Sequence, residues 1–460
     1  MRKSQKIHFE ISERKILLRI IDVLFVLIAL FFVNYFFNFD YLEVSYSNAF
    51  SLLILIIYIN SIGSVFEMYN LQAASNTFQT FRNVILTTSV TTLLYLLTPV
   101  LTPTLPNNRL QIVYFYLSIS VALLIWRYLY IVLFASNRFV KKVIFVVTEK
   151  DIDVRINELK EANPHYNFIG FVSESQKTQS KLIKKIPLDE LDKFIDDNSL
   201  AEIVVYDSKK SPISSELYNK LLSYLENGIV VRQFSEVYES NTYRLPIHID
   251  DNEFIQFFPF NRSNQNKLYI YFCRLFDVVF SLIGLLCFLF IIPVIAFLNL
   301  FFNKGSFFYK QERVGKNGTT FWLYKLRSMI ANAEKEGAVF ATANDKRITS
   351  FGKILRKTRL DEVPQFYNVL KGDMAIIGPR PERPYFVKII AENIPLYQSR
   401  HVIKPGLTGW AQVNYSYGEN LDDSLMKLRY DLYYIKHRSL FLDINIIVKT
   451  LGTILFFKGQ

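Results

Sequence analysis

In the stretch RKTRLDEVPQFYNVLKGDMAIIGPRPERP, residues 356 to 384, the carboxylates Asp361 and Glu362 stand side by side, with Arg356 and Arg359 before them and Arg380 and Arg383 after. Pro364 follows closely, and proline is tolerated only in the first turn of a helix. The sequence therefore predicts a helix that begins near Asp361, runs through VPQFYNVL and ends at Gly372. At such an N-terminus the free amides and the dipole favour anions, which would keep Asp361 ionised and help to hold a phosphate. An ionised carboxylate beside a phosphate is repelled unless cations intervene. Arginine forks can do this, and so can a Mg²⁺ shared between a carboxylate and substrate phosphates. Glu362 is the natural metal ligand, which leaves Asp361 free to attack phosphorus and form an aspartyl phosphate.

Other basic residues accompany this pair. In LYKLRSM, Lys325 and Arg327 are two apart, so on a strand both point to one face. In GPRPERP, Arg380 lies between two prolines on a stiff extended loop. Each feature alone has a plainer reading: a helix cap, a solvated strand face, a turn. Their occurrence together, just after a long apolar segment, favours phosphate chemistry.

The elements that must position these residues include membrane segments. Of the 460 residues, 51% are hydrophobic and only 20% charged, so apolar surface beyond a soluble core has to be placed. Ile20 to Phe37, Phe50 to Phe66, Val84 to Leu101 and Ile112 to Phe134 read as four spans. Basic residues precede the first and follow the fourth, whereas Asp40 and Glu43 fall in the first loop, so both ends are expected on the cytoplasmic side. No small-residue cleavage site follows the first segment, which argues against a signal peptide. Arg127, inside the fourth span, is read either as a functional intramembrane charge or as a side chain snorkelling to the cytoplasmic surface. The formal charge of +12 suits lipid headgroups or a phosphorylated substrate, and no nucleic-acid motif accompanies it. Cys273 and Cys287 read as apolar fillers rather than a disulfide or metal pair.

Residues 141–250 change to an alternating α/β pattern. KKVIFVVTE, AEIVVYDS and GIVVRQF read as buried parallel strands of a Rossmann-like cytoplasmic domain, and residues 251–266 as an aromatic linker. The turn VVTEKDIDV carries no glycine, so the dinucleotide fingerprint is absent and a regulatory or scaffolding role is expected. Next comes the apolar run Val278 to Phe302, with Pro293 inside and basic residues on both flanks. Like-charged flanks and a helix-kinking proline predict a re-entrant helix, about 275–302, that dips into the bilayer and returns. The last domain, 267–460, opens with two strands around GKNG. It closes with an apolar tail whose Asp443 and Lys449 suggest a helix lying in the membrane interface.

Together, YKLRSM, RKTRLDEVPQFYNVLKGDMAIIGPRP and KPGLTGWAQVN closely resemble the bacterial sugar transferase family, the monotopic polyprenyl-phosphate phosphoglycosyltransferases, over roughly residues 265 to 460. The preceding domains resemble the family's long form, similar to undecaprenyl-phosphate glucose or galactose phosphotransferases. The fold this implies is an α-helical N-terminal bundle, a Rossmann-like α/β middle domain and an α+β catalytic domain with a re-entrant membrane helix. The resemblance implies Asp361 as nucleophile, Glu362 as Mg²⁺ ligand, and Arg356 and Arg380 as phosphate-binding. Lys325 and Arg327 match the family's basic strand, also on the phosphate. Pro405, Gly406, Thr408, Gly409, Trp410 and Gln412 match a segment expected near the nucleotide or in core packing.

The implied reaction moves a sugar 1-phosphate from a UDP-sugar to undecaprenyl phosphate, releasing UMP. It would initiate exopolysaccharide, capsule, O-antigen or glycoconjugate synthesis at the bacterial inner membrane, with the soluble domains on the cytoplasmic face and a homodimer expected. After QVN, YSYGEN replaces the glycine and arginine common in the family, which leaves the sugar open. His401 reads as structural or substrate-adjacent rather than as a general base, since polyprenyl phosphate is already an anion. Two rival readings are a membrane-bound sugar-nucleotide oxidoreductase or dehydratase, which the missing glycine fingerprint disfavours, and a non-enzymatic scaffold for glycan assembly, for which the acidic and basic set is superfluous.

Overall fold

The computed structural model describes residues 11–37, 39–66, 68–69, 77–134, 141–147, 152–162, 166–175, 178–198, 200–206, 213–247, 267–303, 305–330, 345, 347–394, 396–415 and 420–455. The 251–266 linker, the turn after the first strand of the middle domain and most of YSYGEN lie outside these residues. The chain divides into two compact units between Thr242 and Tyr243.

The first unit begins with four helices: α1 (Ile11–Phe37), α2 (Ala49–Val65), α3 (Thr77–Leu97) and α4 (Leu110–Phe134). On α1, Leu18, Asp22, Val26 and Leu30 are buried at every fourth position, while Ile16, Ile20, Leu24 and Ile28 are exposed. An inward stripe and an equally apolar outward stripe suit a helix whose outer face meets lipid. Lys15–Phe37, Tyr46–Val65, Leu110–Val132 and Lys267–Phe302 are long and apolar enough to cross a membrane. α3 is not among them. Its inward face buries Thr80, Asn83, Thr87, Thr88, Thr91 and Thr92, which lowers its hydropathy.

Arg127 does not snorkel. It is 1% exposed and donates through Nη2 to Asp22 Oδ2 at 2.5 Å, tying α4 to α1, and its guanidinium lies 5.4 Å from the Tyr69 ring centre. In an apolar bundle this ion pair is the strongest available alternative to exposing either charge to hydrocarbon.

The rest of this unit is a sheet of four parallel strands in the order β2-β1-β3-β4, formed by β1 (Lys141–Val147), β2 (Tyr166–Val172), β3 (Glu202–Tyr206) and β4 (Val230–Gln233). Val143 to Val147 are buried in one unbroken run because helices cover both faces of the central strand. On one face lie α5 (Ile152–Ala162) and α8 (Phe234–Thr242), and on the other α6 (Leu191–Asn198) and α7 (Ser215–Glu226).

The second unit is built on α9 (Lys267–Phe302), 36 residues and about 54 Å if straight at 1.5 Å per residue. Pro293 lies inside it. Asp277, Ser281, Phe288, Ile295 and Asn299 are buried on a single stripe, while much of the remainder exposes Leu, Ile and Phe. The stripe packs along the domain that follows. The Arg274 guanidinium donates to the carbonyls of Val369 and Leu370, each at 2.7 Å, and Asp277 Oδ1 accepts the Ile376 amide at 2.8 Å. Further along, Phe288 and Ile295 join a core with Leu326, Phe351 and Leu355. At the end, Asn303 Nδ2 donates to the Arg327 carbonyl at 2.7 Å.

After α9 come the antiparallel hairpin β5 (Phe308–Val314) and β6 (Thr320–Leu326), α10 (Ser350–Lys357), α11 (Gln365–Lys371), β7 (Ala375–Ile377), α12 (Pro384–Asn393), β8 (Gly406–Thr408), α13 (Trp410–Asn414), α14 (Leu421–His437) and α15 (Leu440–Leu455). β7 and β8 pair in parallel. The polar interruptions in the tail are internal ties rather than solvent-facing groups. Asp443 accepts from Tyr269 Oη at 2.5 Å and Tyr434 Oη at 2.7 Å, and Lys449 donates to Asn414 Oδ1. Leu440, Phe441, Ile444 and Leu451 are left on the exposed face of α15.

The Asp22–Arg127 pair predicts a specific mutational pattern. Asp22→Leu or Arg127→Leu alone leaves a buried charge and lowers stability by roughly 3–5 kcal/mol, and the double variant recovers most of that loss. Thermal unfolding in detergent reads the difference. Single variants within about 1 kcal/mol of the parent, the range of an exposed pair, would show that the pair contributes nothing.

Candidate active site

The acidic pair lies just ahead of the helix that the sequence places on it. Residues Leu360–Glu362 form a 3₁₀ turn, and α11 begins only after Pro364. Pro364 has no amide hydrogen to give Leu360, so the chain closes with tighter bonds instead: Glu362 N to Arg359 O at 3.2 Å and Val363 N to Leu360 O at 3.3 Å. Arg359 enters the turn with φ of 58°. α11 ends as expected at Gly372, in the left-handed conformation with φ of 97°. Asn368, fully buried, locks α11 to β6 by accepting the Tyr324 amide at 3.1 Å and donating to the Trp322 carbonyl at 2.7 Å.

Both carboxylates are buried, in very different surroundings. Glu362 Oε1 accepts from Arg380 Nη2 at 2.7 Å and Lys325 Nζ at 3.2 Å, and Oε2 from Arg359 Nη1 at 3.4 Å. Burial pushes its carboxyl up, but Arg380, Lys325 and Arg359 together outweigh that and hold it well below the usual carboxylate range. Burial likewise pulls the Lys325 ammonium down, with Glu362 opposing.

Asp361 Oδ1 is buried with no hydrogen-bond partner. Burial, then the neighbouring negative charge of Glu362, push this carboxyl up to about 6 against the pull of Lys325, Arg356 and Arg359. The residue sits in a 3₁₀ turn rather than at the N-terminus of α11, so desolvation outweighs the helix-end stabilisation the sequence suggests. A carboxylate of this kind is still ionised near neutral pH, more basic than usual and unencumbered, as a nucleophile requires.

The predicted phosphate ligands divide into two groups. Lys325 and Arg380 converge on Glu362. Arg356, at the end of α10, donates through Nε to Ser328 Oγ at 2.9 Å and adds positive potential at Asp361. Arg327 lies past the end of β6 and donates to backbone carbonyls just after α9: Nε to Ser306 at 2.6 Å, and Nη2 to Asn303. It is 7% exposed, and its partners make it a rivet between β6 and α9.

Two adjacent carboxylates, one with an unpartnered oxygen, fit an ion that takes one or two protein carboxylates and completes its shell with water and substrate phosphate, as Mg²⁺ does. Among the described residues no group of three or more His, Cys, Asp or Glu forms a metal cage.

The segment from Pro405 to Gln412 packs against the Arg380 loop. Ala375 N donates to Pro405 O at 2.8 Å, and Gly406 N to Pro379 O at 2.9 Å. A Cβ on Gly406 would lie 2.1 Å from Gly378 N, and one on Gly378 would lie 2.4 Å from Lys404 O, so the two backbones touch where only glycine fits. Gly409 closes on the Gly378 carbonyl in the same way. Thr408 Oγ1 meets Thr450 Oγ1 at 2.7 Å, Trp410 Nε1 donates to the Tyr243 carbonyl at 3.0 Å, and the Gln412 amide nitrogen is buried without a partner. This segment therefore packs against the backbone that leads into the Arg380 loop. Pro293 lies within continuous helix. No sequence signal marks Asn368, Arg313 or Arg400 as supports of the site, since each is an ordinary polar residue until the chain folds.

Burial, reinforced by adjacent Arg400, pushes the His401 imidazole down to about 4, which makes it a poor proton acceptor near neutral pH. The unfolded imidazole titrates near 6.5, so between those values the unfolded chain binds more protons than the folded one. The stability contribution is complete above 6.5 and is lost as pH falls towards 4. Urea midpoints at about pH 7.5 and about pH 5 should differ less in His401→Gln than in the parent; an identical pH dependence would remove His401 from this role.

Residues 268–457 match the family described as bacterial sugar transferase. Over 255 residues the chain is 38% identical to a UDP-N-acetylgalactosamine-undecaprenyl-phosphate N-acetylgalactosaminephosphotransferase of Aeromonas hydrophila, covering 55% of this chain and 59% of that relative. It is 46% identical over 151 residues to a UDP-glucose:undecaprenyl-phosphate glucose-1-phosphate transferase of Xanthomonas campestris, covering 32% of this chain and 31% of that protein. It is 37% identical over 191 residues to the sugar transferase EpsL of Bacillus subtilis, covering 40% of this chain and 88% of that one.

Proposed function

The chain belongs to the bacterial sugar transferase family, and on that footing we propose that it transfers a sugar 1-phosphate from a UDP-sugar to undecaprenyl phosphate through a covalent Asp361 intermediate. The observation that carries this reading is a buried carboxylate with an unpartnered oxygen, Asp361, beside a second carboxylate that accepts from Arg380, Lys325 and Arg359. The activities named for the Aeromonas and Xanthomonas relatives support the donor and acceptor classes.

In the first step an Asp361 carboxylate oxygen attacks the sugar-bearing phosphorus of the donor. The bond from that phosphorus to the bridging oxygen breaks, and UMP leaves with the electron pair. In the second step a phosphate oxygen of the polyprenyl phosphate attacks the same phosphorus and displaces the Asp361 carboxylate, giving a polyprenyl diphosphate sugar. Arg380, Lys325 and Arg356 supply fixed positive charge where the phosphoryl oxygens gain negative charge. Glu362, with Asp361 at hand, would hold Mg²⁺, which supplies further charge neutralisation at the phosphates.

The membrane helix serves this chemistry if it enters the bilayer and returns. One stripe of α9 contacts the catalytic domain from Arg274 to Asn303, so both ends stay with that domain, while its exposed apolar side chains and those of α15 face lipid. A re-entrant path bent at Pro293 satisfies both demands and brings a lipid phosphate to Asp361 at the cytoplasmic face of the inner membrane.

The test is UMP release by purified protein in nanodiscs from a panel of UDP-N-acetylgalactosamine, UDP-glucose and UDP-galactose, with and without Mg²⁺ and undecaprenyl phosphate. Asp361→Asn is expected to lower the rate by on the order of 10³-fold or more. Intact mass should show a sugar-phosphate adduct in the parent and none in the variant. An undiminished rate in Asp361→Asn would sink the assignment of the nucleophile.

A further inference from the structure

We infer that Arg400, held by Asp431 and Tyr397, is a positioning residue that fixes Arg380 against Glu362 by gripping the backbone of the Pro-Arg-Pro loop. The loop from Pro379 to Glu382 has two prolines and therefore a surplus of carbonyls over amide donors. All four carbonyls are taken. Gly406 N reaches Pro379 O at 2.9 Å, Arg400 Nη2 reaches Arg380 O at 3.0 Å, Arg313 Nη1 reaches Pro381 O at 3.0 Å, and Val314 N reaches Glu382 O at 2.9 Å. The contact at Arg380 itself is the one made by Arg400.

Arg400 is 6% exposed, and it comes from the 3₁₀ segment Tyr397–Val402, outside the catalytic constellation. It donates to Asp431 Oδ2 at 2.7 Å and to Tyr397 Oη at 2.5 Å. Asp431, 1% exposed, belongs to α14. The Nη2 that donates to Asp431 also donates to the Arg380 carbonyl, and Tyr397 holds the other arm of the planar fork, so the groups that fix the guanidinium fix this contact as well. The Arg380 side chain leaves the same residue in the 2.7 Å contact with Glu362. Arg400 thus sets where the guanidinium starts, without touching either carboxylate. A lysine at 400 can neutralise Asp431 but lacks the fork that holds three partners at once.

This inference rests on the proposed transferase reading for its kinetic arm alone. Arg400→Lys is expected to lower kcat about 10- to 100-fold with KM for the UDP-sugar changed little, the pattern of a misplaced transition-state charge. In an Arg380→Ala background the same substitution should lower kcat less than twofold further, because its effect runs through Arg380. A merely structural role would give equal losses in both backgrounds and overturn the inference.

The second arm needs no turnover. Hydrogen exchange at the Gly406 and Val314 amides, which bond the loop on either side, should quicken in Arg400→Lys. It should quicken to a smaller degree in Tyr397→Phe, which removes a single hydroxyl and guards against a global folding defect. Unchanged protection in both variants would overturn the inference, even if no donor in the panel is turned over and the transferase reading fails by itself.

Discussion

Two adjacent carboxylates buried at the edge of an apolar helix would repel each other and lose hydration, and the catalytic unit is organised around the way this is offset. Glu362 collects Lys325 from a strand, Arg359 from the entry to its own turn and Arg380 from a distant loop. Burying a charge is tolerable when it is paired and hydrogen-bonded, and three cations on one carboxylate exceed that requirement. The excess positive charge is what a phosphate would meet on arrival. Asp361, one residue earlier, receives none of these bonds on Oδ1, so the same local chain holds one carboxylate in an ion-pair network and leaves an oxygen of the other unpartnered.

The anchor works only if its three partners come from rigid supports. Lys325 is held by the hairpin, whose β6 is locked to α11 through Asn368. Arg380 projects from a loop with four consecutive carbonyls engaged, and close glycine contacts set its distance from the following segment. α9 completes the frame. Arg274 closes the C-terminal end of α11, Asp277 holds the backbone at Ile376, and Arg327 returns to the carbonyls just after it. α9 is therefore tied near both ends to the elements that surround the acidic pair.

Buried polar groups recur where apolar elements need a fixed register. Hydrophobic stripes alone leave helices free to slide and rotate, because one leucine contact replaces another at little cost. Asp22 with Arg127 in the bundle, and Asp443 with Tyr269 and Tyr434 where α9 meets the tail, each fix one relative arrangement. Asp443 shows why a polar residue in an apolar helix is ambiguous by itself: the same residue could mark an interfacial helix or an internal tie.

Much of the molecule follows from patterns that are local in the chain. Apolar runs placed α1, α2, α4 and α9, and the unbroken valine-rich runs placed β1 and β3, because burial on both faces leaves a signature that needs no partner to be read. Gly372 marked the end of α11, whereas its start at Gln365 lies four residues beyond the Asp361 that the sequence suggests, because Pro364 leaves the acidic pair in a 3₁₀ turn. The edge strand β2 was not legible, since YNFIGFV breaks its apolar pattern with a glycine and the exposed Asn167, and the run Val84 to Leu101 reads as a span although the threonines that α3 turns inward leave it less apolar than the candidate spans. The tertiary structure alone decided which charges meet. Arg327 shares its short basic motif with Lys325, yet it ends on a backbone rivet while Lys325 reaches Glu362. Arg400, Asp431 and Arg313 carry no motif and grip the loop of Arg380. Sequence fixes residue type and local direction, but hydrogen bonds and ion pairs depend on separations of a few ångströms between segments tens of residues apart. Those distances exist only once the core has packed.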